Sequence, residues 1–505
     1  MTETKKYSIA AKTEIPFHNN ADFCIGTGRM GLALRKEYFE QLKFVQEKVG
    51  FRHIRGHGLF SDDMAIYQEY RDENGKTKAE YNFTYLDLVM DSYRSVGLRP
   101  FLELGFMPEK MASGGQTVFY WKGNVTPPKD YAAWTDLVQA TLKHLMERYG
   151  ADEVVTWPIE VWNEPNLKGF WKDSNQQEYF RLFRCTFLAI KKLDRRFRIG
   201  GPAVCGGTDA PWVRAFLEFC RENSLAVDFI TRHFYTSAPP EREGHYDYVK
   251  LNDPEESLRE LKVTRDIIDS FDEFRGLQIH VTEFNTSYTP QAPVHDTNEN
   301  AAYIAALLSK LGDCNESYSY WTFGDVFEEQ GVPFAPFHGG FGLVANGLIA
   351  KPTLWTFRFY KRLQGTCVHR SENAVVVRTQ NGGYRGVAWN LVMGKDEQKL
   401  RLLFGLPAER AGEFCLLTET VDETCCNPLK LWHDMGEPHS LSREQLAVLR
   451  AGSSPFLATK KLTALKKEIG VSLDLNENAV VYFEIKAAER VGDRGFSYER
   501  AVRTE

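Results

Sequence analysis

Two glutamates lie where a pair of carboxyl groups could cleave a glycosidic bond. Glu164 closes the run Glu160-Val-Trp-Asn-Glu164-Pro165, and Glu283 closes the run His280-Val-Thr-Glu283. Each follows a short apolar stretch typical of a buried strand. One carboxylic acid can protonate the departing oxygen, while a second carboxylate attacks or supports the anomeric carbon. We therefore predict a retaining glycoside hydrolase in which Glu164 is the acid/base and Glu283 the nucleophile.

Other candidate strand ends add polar and aromatic groups near this pair. Arg55 and His57 share one face of their strand, because side chains on a strand alternate between its two sides. His233 and Tyr235 share a face in the same way, and Trp321 closes a later strand. An arginine favours the ionised form of a neighbouring carboxylate. A tyrosine hydroxyl can donate to that carboxylate, and a tryptophan offers a flat surface to a sugar ring.

Several other titratable residues receive structural interpretations. Glu160 shares the face of Glu164 but lies deeper, and Glu103 lies on a neighbouring strand, so both are predicted to form ion pairs with a buried arginine. His53 and His57 face the same way, which raises the question of a metal. The first strand, which ends in Cys24-Ile-Gly-Thr-Gly, offers no ligand beside them. We therefore predict no catalytic metal and no cofactor.

The strands that must position these residues alternate with helical patterns between about residues 20 and 330. The candidate strands are Phe23–Gly26, His53–His57, Arg99–Phe106, Ile159–Asn163, Arg198–Val204, Phe229–Tyr235, Gln278–Glu283 and Tyr318–Phe323. The candidate helices are Lys36–Lys48, Tyr131–Tyr149, Gln176–Leu193, Pro211–Asn223, Glu256–Phe271 and Asn298–Leu311. Eight strands alternating with helices predict a (β/α)8 barrel, whose catalytic groups lie at the carboxyl ends of the strands.

The competing architecture is a doubly wound sheet that binds a dinucleotide. Gly26, Gly28 and Gly31 have the spacing of a phosphate-binding loop. That spacing alone is a weak signal, and no acidic residue closes the second strand as a ribose ligand would. The barrel is therefore the favoured interpretation.

The chain after about residue 360 reads as β-structure separated by turns. Runs such as AVVVRTQ, YRGVAWNLV and AVVYFEIK predict an antiparallel β-sandwich, with a helical insertion at 441–450. The predicted domains are a segment 1–15 that could join the sandwich, a barrel at 16–358, a sandwich at 359–490 and a loose tail at 491–505.

Composition and charge narrow the function classes. The chain has 505 residues and a net charge of −6, which gives no indication of a nucleic-acid partner. The amino terminus lacks the apolar segment of a signal peptide, and no stretch approaches the roughly 20 apolar residues of a membrane span. The nine cysteines contain no CxxC motif. We predict a cytoplasmic protein with reduced thiols and no membrane partner.

Two motifs carry a resemblance to a known family. WNEPNL at 162–167 resembles the acid/base motif of clan A glycoside hydrolases, and TEFNTSY at 282–288 resembles the nucleophile motif of glycoside hydrolase family 39. IRGHGLFSDD, TVFYWKGNVTPPKDY, GGPAVCGG, RHFYTS and YSYWTFGDVFEE are similar to segments of bacterial β-D-xylosidases of that family. The similarity covers nearly the whole chain and is weaker in the sandwich.

The resemblance implies an exo-acting, retaining β-xylosidase that takes xylobiose and short xylo-oligosaccharides. It also implies a barrel, a β-sandwich, a small helical appendage and a homo-oligomer, often a tetramer. It puts Asn163 on the sugar 2-hydroxyl and Tyr235 against Glu283. The residues that it implies around the sugar are Arg55, His57, His233, Tyr288, Trp321, Glu328 and Glu329. Which of the two adjacent glutamates contacts the sugar stays open.

Related activities stay open as well, because the same family holds α-L-iduronidases and a β-glucosidase-like or non-catalytic sugar-binding protein is conceivable. The loop after strand eight brings three acids and no base, which is expected to disfavour a uronic acid. The acids are Asp325, Glu328 and Glu329, and the phenylalanines expected to wall off the sugar C5 are Phe327, Phe334, Phe337 and Phe341. A neutral pentose is therefore the predicted substrate.

Overall fold

A closed barrel of eight parallel strands forms the larger part of the protein, as the sequence predicts. The computed structural model describes residues 2–394, 398–409, 411–464, 467–488 and 495–502. Each barrel strand pairs with its neighbours in the chain, and the eighth pairs with the first. The strands are Cys24–Thr27, His53–Gly56, Arg99–Leu104, Ile159–Val161, Ile199–Val204, Phe229–Tyr235, Gln278–Asn285 and Ser317–Tyr320.

Helices surround the barrel, and their apolar faces explain why they pack there. The first helix buries Tyr38, Gln41, Leu42 and Val45, which recur at steps of three and four residues. The sequence pattern favoured Phe39 for this face, but Tyr38 takes that position and Phe39 is only partly buried. The barrel helices are Lys36–Lys48, Thr84–Ser95, Tyr131–Tyr149, Ala151–Val154, Gln176–Leu193, Asp209–Glu222, Pro254–Asp269, Asn298–Leu308 and Pro352–Lys361.

Regular strand pairing stops before the residues of greatest interest. Strand four ends at Val161 rather than at the predicted Asn163, and strand eight ends at Tyr320 rather than at Phe323. Trp162 and Glu164 have φ values of 72° and 43°, so the backbone leaves the extended conformation at this point. Such strained backbone in non-glycine residues recurs at functional sites. Glu164 therefore projects from a fixed turn at the barrel mouth.

The second part of the chain forms two sheets that face each other. The six-stranded antiparallel sheet has the order Thr366–Arg370, Ala374–Arg378, Tyr384–Asn390, Ala479–Ala487, Gly412–Val421 and Phe456–Ala464. The three-stranded sheet has the order Thr2–Ser8, Lys399–Pro407 and Glu468–Leu475. Glu468–Leu475 buries every second residue, as a strand with one face on a core must. Phe404 and Phe483, whose ring centroids are 5.9 Å apart, meet in that core.

The first strand of the chain, Thr2–Ser8, pairs in parallel with Lys399–Pro407, so the amino terminus contributes to the smaller sheet. The exact domain boundaries stay predictions. Of the tail predicted at 491–505, residues 491–494 and 503–505 lie outside the described residues. A short helix, Tyr498–Val502, lies within the rest.

Two helices of the insertion, Pro428–Asp434 and Arg443–Gly452, contact the barrel at the loop after strand eight. Trp432 packs against Phe337 with 5.6 Å between ring centroids, and Phe334 packs against His439 at 5.8 Å. We call these two helices the helical appendage. The appendage thus touches the loop that carries the predicted sugar-binding glutamates.

Two further observations bear on the predicted surroundings of the protein. In the described part of the chain, no helix is both long enough and apolar enough to cross a membrane. All nine cysteines are free of disulfide bonds. The structure is consistent with the reduced thiols that the cysteine spacing predicts.

Candidate active site

Arg55 organises the centre of the barrel mouth. Its side chain is fully buried, and its Nε donates to Glu160 Oε2 at 2.6 Å. One terminal nitrogen donates to Glu283 Oε1 at 2.7 Å, and the other lies 2.9 Å from both Glu103 Oε2 and Asn163 Oδ1. Burying a guanidinium is tolerable only when its charge and its donors are matched in this way. Glu160 and Glu103 are thus the ion-pair partners that the sequence predicted.

Glu283, the predicted nucleophile, is held at both carboxylate oxygens. Arg55 donates to Oε1, and the Tyr235 hydroxyl donates to Oε2 at 2.6 Å. His57 Nε2 lies 3.5 Å from Oε1 on a further side. The residues that contact Glu283 come from strands two and six, whose ends converge here because the sheet is closed. These donors fix the carboxylate in one orientation.

His233 links the two predicted catalytic carboxyl groups. Its Nδ1 lies 2.7 Å from Glu164 Oε1 and 3.4 Å from Glu283 Oε2. Its Nε2 lies 3.5 Å from an Arg55 nitrogen, which can only donate, so Nε2 accepts and Nδ1 carries the proton. Burial and then the charge of Arg55 hold the pKa of His233 well below its usual value. A neutral His233 therefore donates to Glu164.

Glu164 is arranged to stay protonated. Burial raises the pKa of its carboxyl group well above the usual value, and the negative charge of Glu283 raises it further. The two distances from His233 Nδ1 together are shorter than the roughly 6.5 Å at which the carboxyl separations of inverting glycosidases begin. The nearest oxygens of Glu164 and Glu283 are thus too close to leave room for a water on the opposite side of a sugar.

Trp321 and His57 form an aromatic wall beside the carboxyl pair. Their ring centroids are 4.7 Å apart, and the Arg55 guanidinium lies 5.9 Å from the Trp321 ring. The Asn285 amide donates to the Trp321 carbonyl at 2.6 Å, and His57 Nδ1 lies 2.7 Å from Glu103 Oε2. Trp321 also packs edge-on against Phe327. A sugar bound beside Glu283 would meet this wall.

The two adjacent glutamates of the strand-eight loop point in different directions. Glu328 forms ion pairs with Arg29, at 2.8 Å, and with Arg35. Glu329 is oriented toward the site, with its Oε1 3.9 Å from His57 Nε2. Burial, and then the charge of Glu283, raise the pKa of Glu329. The geometry therefore does not support a sugar contact for Glu328, because its carboxylate is already used by two arginines.

The strand-eight loop is also less acidic than its sequence indicates. Lys351, which is fully buried, lies 2.7 Å from Asp325 and 2.6 Å from Asp296. Asp325 and Glu328 are thus both paired with cations from other segments. The expectation of three acids without a base is wrong in three dimensions. Phe337, one of the predicted C5-side walls, instead packs on the helical appendage.

Tyr288 lies at the rim of the site. Its side chain is 47% exposed, and its ring meets that of Tyr235 edge-on at 6.4 Å. The opposite rim holds a hairpin that strand-end reasoning missed. Its Phe119 ring lies 5.8 Å from that of His57, and the Tyr120 amide donates to the Glu329 carbonyl at 2.8 Å. This segment carried no strand-end signal, because it is a loop between strand three and the next barrel helix.

A second group that was missed is Cys205, which follows strand five. One ligand atom from each of Glu164, Cys205 and His233 lies within 4.8 Å of the others, a spacing that could hold a metal ion. His233 Nδ1 already carries a proton toward Glu164, and moving that proton to Nε2 would turn it toward Arg55. The tautomer thus disfavours a metal here. Cys205 ends strand five, so the strand-end rule could have found it.

Comparison with known proteins decides the family. The profile described as "Glycosyl hydrolases family 39" matches residues 7–467. The chain belongs to glycosyl hydrolase family 39. A "Beta-xylosidase" of Geobacillus stearothermophilus is 48% identical over 98% of this chain and 97% of that protein. Another "Beta-xylosidase", from Caldicellulosiruptor saccharolyticus, is 34% identical over 92% of each.

Solved structures of the family agree with this fold. The crystal structure of "a monomeric beta-xylosidase from Caulobacter crescentus CB15" superposes with a TM-score of 0.89 at 32% identity. The match covers 97% of this family 39 chain and all of that one. The barrel and the sandwich described above are therefore the architecture of family 39 enzymes.

Replacing Trp321 should affect both activity and stability. Trp321 is 1% exposed and packs in a cluster with Phe327 and Phe341. We expect Trp321→Ala to lower kcat/KM on xylobiose by roughly tenfold or more, through lost sugar stacking. We also expect a loss of about 3–5 kcal/mol of stability, since the change leaves a cavity. Steady-state kinetics and thermal unfolding measure the two effects.

Trp321→Phe provides the matched control, because it retains an apolar ring in the cluster. It should recover most of the stability while activity stays reduced. An Ala variant that loses stability but keeps full kcat/KM would show that Trp321 is a core residue without a sugar contact.

Proposed function

We propose that this family 39 enzyme is an exo-acting, retaining β-D-xylosidase that removes terminal xylose from xylobiose and other short xylo-oligosaccharides. The observation that carries the proposal is the contact of one nitrogen, His233 Nδ1, with both Glu164 and Glu283. That contact brings the carboxyl pair within the separation that a double displacement needs.

The first half of the reaction forms a glycosyl-enzyme. A Glu283 oxygen attacks the anomeric carbon, the glycosidic C–O bond breaks, and Glu164 gives its proton to the departing oxygen. Arg55 and Tyr235 hold Glu283 in place for the attack. In the second half, Glu164, now a carboxylate, takes a proton from water. The water oxygen bonds to the anomeric carbon, and Glu283 leaves as a carboxylate.

Asn163 and Glu329 are proposed to bind the hydroxyls of the terminal xylose. Asn163 Oδ1 accepts from Arg55, which orients its amide nitrogen as a donor for the 2-hydroxyl. Glu329, oriented toward the site beside His57, offers acceptor oxygens to a second hydroxyl. Trp321 provides the wall against which the ring packs.

A neutral sugar suits this site better than a uronic acid. Recognition of a sugar carboxylate usually needs an arginine or lysine within bidentate reach. The cations nearest the strand-eight loop are engaged elsewhere, since Arg29 and Arg35 pair with Glu328, and Lys351 pairs with Asp325. We therefore favour xyloside over the iduronide alternative.

The assembly and location of the enzyme stay predictions from the sequence. We propose a cytoplasmic homo-oligomer, with a tetramer as the expected size. The Caulobacter relative is described as monomeric, so the family does not dictate one state. Light scattering on the purified chain measures the number of subunits.

A panel of substrates tests the proposed function. We expect the highest kcat/KM on nitrophenyl β-D-xyloside and lower values on β-D-glucoside and α-L-iduronide, measured under one condition. The additional C6 group of glucose has to be accommodated in a pocket that the terminal xylose fills, at a cost in packing or unpaired polar groups. Early NMR spectra of xylobiose hydrolysis should show the β-anomer of xylose first. Initial release of α-xylose, or iduronide ahead of xyloside, would contradict the proposal.

A further inference from the structure

The thiol of Cys205 lies next to the predicted acid/base. Cys205 follows strand five (Ile199–Val204), and its Sγ lies within 4.8 Å of a Glu164 oxygen. The thiol and the carboxyl group are hydrogen-bonded to each other. Cys205 is partly exposed, so it lies at the surface of the site rather than in the barrel core. The reaction as described above gives this thiol no task.

Three backbone-level hydrogen bonds tie the Cys205 segment to the Glu164 segment. The Glu164 amide donates to the Ala203 carbonyl at 2.9 Å. The Asn166 side chain donates to the Cys205 carbonyl at 2.6 Å, and its Oδ1 accepts from the Cys205 amide at 3.2 Å. Asn166 is itself buried. The neighbourhood of thiol and carboxyl group is therefore fixed by the fold and does not depend on a side-chain rotation alone.

The thiol can act here only as a donor. Burial raises the pKa of Cys205 well above its usual value, and the charge of Glu164 raises it further. A neutral thiol has one S–H to donate, and its nearest strong acceptor is Glu164. The groups that act electrostatically on Glu164 or Cys205 are Arg55, Glu103, Arg232, Glu283, Tyr235, Tyr288 and Glu329. His233 is the other direct donor to Glu164.

We propose that Cys205 is a positioning residue that donates its S–H to Glu164 and holds it as a carboxylate while it acts as the base of the second half-reaction. This proposal rests on the double displacement proposed above. His233 occupies Oε1, and the thiol adds a second, independent donor. When the glycosyl-enzyme has formed, Glu283 is esterified and its repulsion is gone. The two donors then orient Glu164 toward the incoming water.

Removing the donor should change two measurable quantities. Without the S–H, the carboxylate of Glu164 loses stabilisation, so the alkaline limb of kcat/KM should move to higher pH by a few tenths of a unit or more. Hydrolysis of the glycosyl-enzyme should slow several-fold, roughly three- to tenfold, because a single hydrogen bond contributes on that scale. A purely structural role for Cys205 would not shift the pH profile.

The experiment compares Cys205→Ala, which removes the donor, with Cys205→Ser, which keeps one. The substrate is 2,4-dinitrophenyl β-xyloside, whose good leaving group makes hydrolysis of the intermediate limit turnover. In Cys205→Ala, kcat and KM should fall together, a burst of dinitrophenol should appear or grow, and kcat/KM below the alkaline limb should change little. Cys205→Ser should restore the wild-type pattern. Cys185→Ala, at a partly exposed cysteine on helix Gln176–Leu193, is the matched control.

The outcomes separate this proposal from the proposed function. If the wild-type enzyme shows no turnover of the xyloside, the proposed function fails. If the wild type is active but Cys205→Ala keeps its pH profile and burst, or if Cys205→Ser behaves like Cys205→Ala, the role of the thiol is wrong. Thermal unfolding checks each variant, and Cys205→Val, which restores volume without a donor, replaces the Ala variant if that one unfolds early.

Discussion

Replacing Glu283 with glutamine should lower kcat/KM on nitrophenyl β-xyloside by about 10⁴-fold or more, the scale on which removing a catalytic nucleophile acts. A glutamine fills the same space but cannot form the ester with the anomeric carbon. It also removes the charge that Arg55 now balances and the acceptor for Tyr235. Steady-state kinetics with a matched thermal-unfolding curve measure the effect.

A trapping experiment assigns the role directly. A 2-fluoro-xyloside with a good leaving group should inactivate the wild-type enzyme and leave a covalent adduct on the peptide that contains Glu283. Glu147→Gln, an exposed position on helix Tyr131–Tyr149, should be trapped as fast as the wild type. An adduct on any other peptide would remove Glu283 from the nucleophile position.

Replacing Glu164 with alanine should produce a loss that depends on the leaving group. General acid catalysis contributes about 10²–10⁴-fold, and xylobiose needs all of it, whereas a dinitrophenolate departs without a proton. Azide should restore turnover and yield a β-xylosyl azide, since a small anion can attack the glycosyl-enzyme where no base remains. Equal losses on xylobiose and on dinitrophenyl xyloside, without azide rescue, would exclude the role.

The pH dependence gives a further measurement on the same pair. Burial and the charge of Glu283 raise the pKa of Glu164, so its acid form persists below that raised value. Activity on xylobiose should therefore fall as the pH rises through the pKa of Glu164. The Glu164→Ala variant, assayed on the activated substrate, should lack that alkaline limb.

Strand-end reasoning brought together most of the candidate site because it uses two properties of the backbone. Alternation puts Arg55 and His57 on one face, and closure of the barrel brings strands four, six and seven to the same mouth. No tertiary information is needed for either step. The Glu103 and Glu160 ion pairs followed from the same logic, since buried carboxylates at strand centres need a cation.

The rest depended on contacts that the linear sequence does not contain. Glu328 and Glu329 are adjacent, yet Arg29 and Arg35 from the segment after strand one claim only the first. Asp325 meets Lys351 through the fold of the strand-eight loop, which no periodicity describes. Tyr38 replaced Phe39 in the first helix because small rotations of a helix about its axis are set by its neighbours. Partners that lie far apart in the chain thus decide local roles.

The helical appendage makes the barrel and the sandwich a single unit of inheritance. Trp432 and Leu449 bury one side of the strand-eight loop, where Phe337 and Ile349 lie beneath them. A chimera that takes this loop from one family member and the sandwich from another would mismatch these apolar surfaces close to Glu329. Exchange of specificity between relatives should therefore succeed when the loop and the appendage travel together, although some 80 residues of sequence separate them.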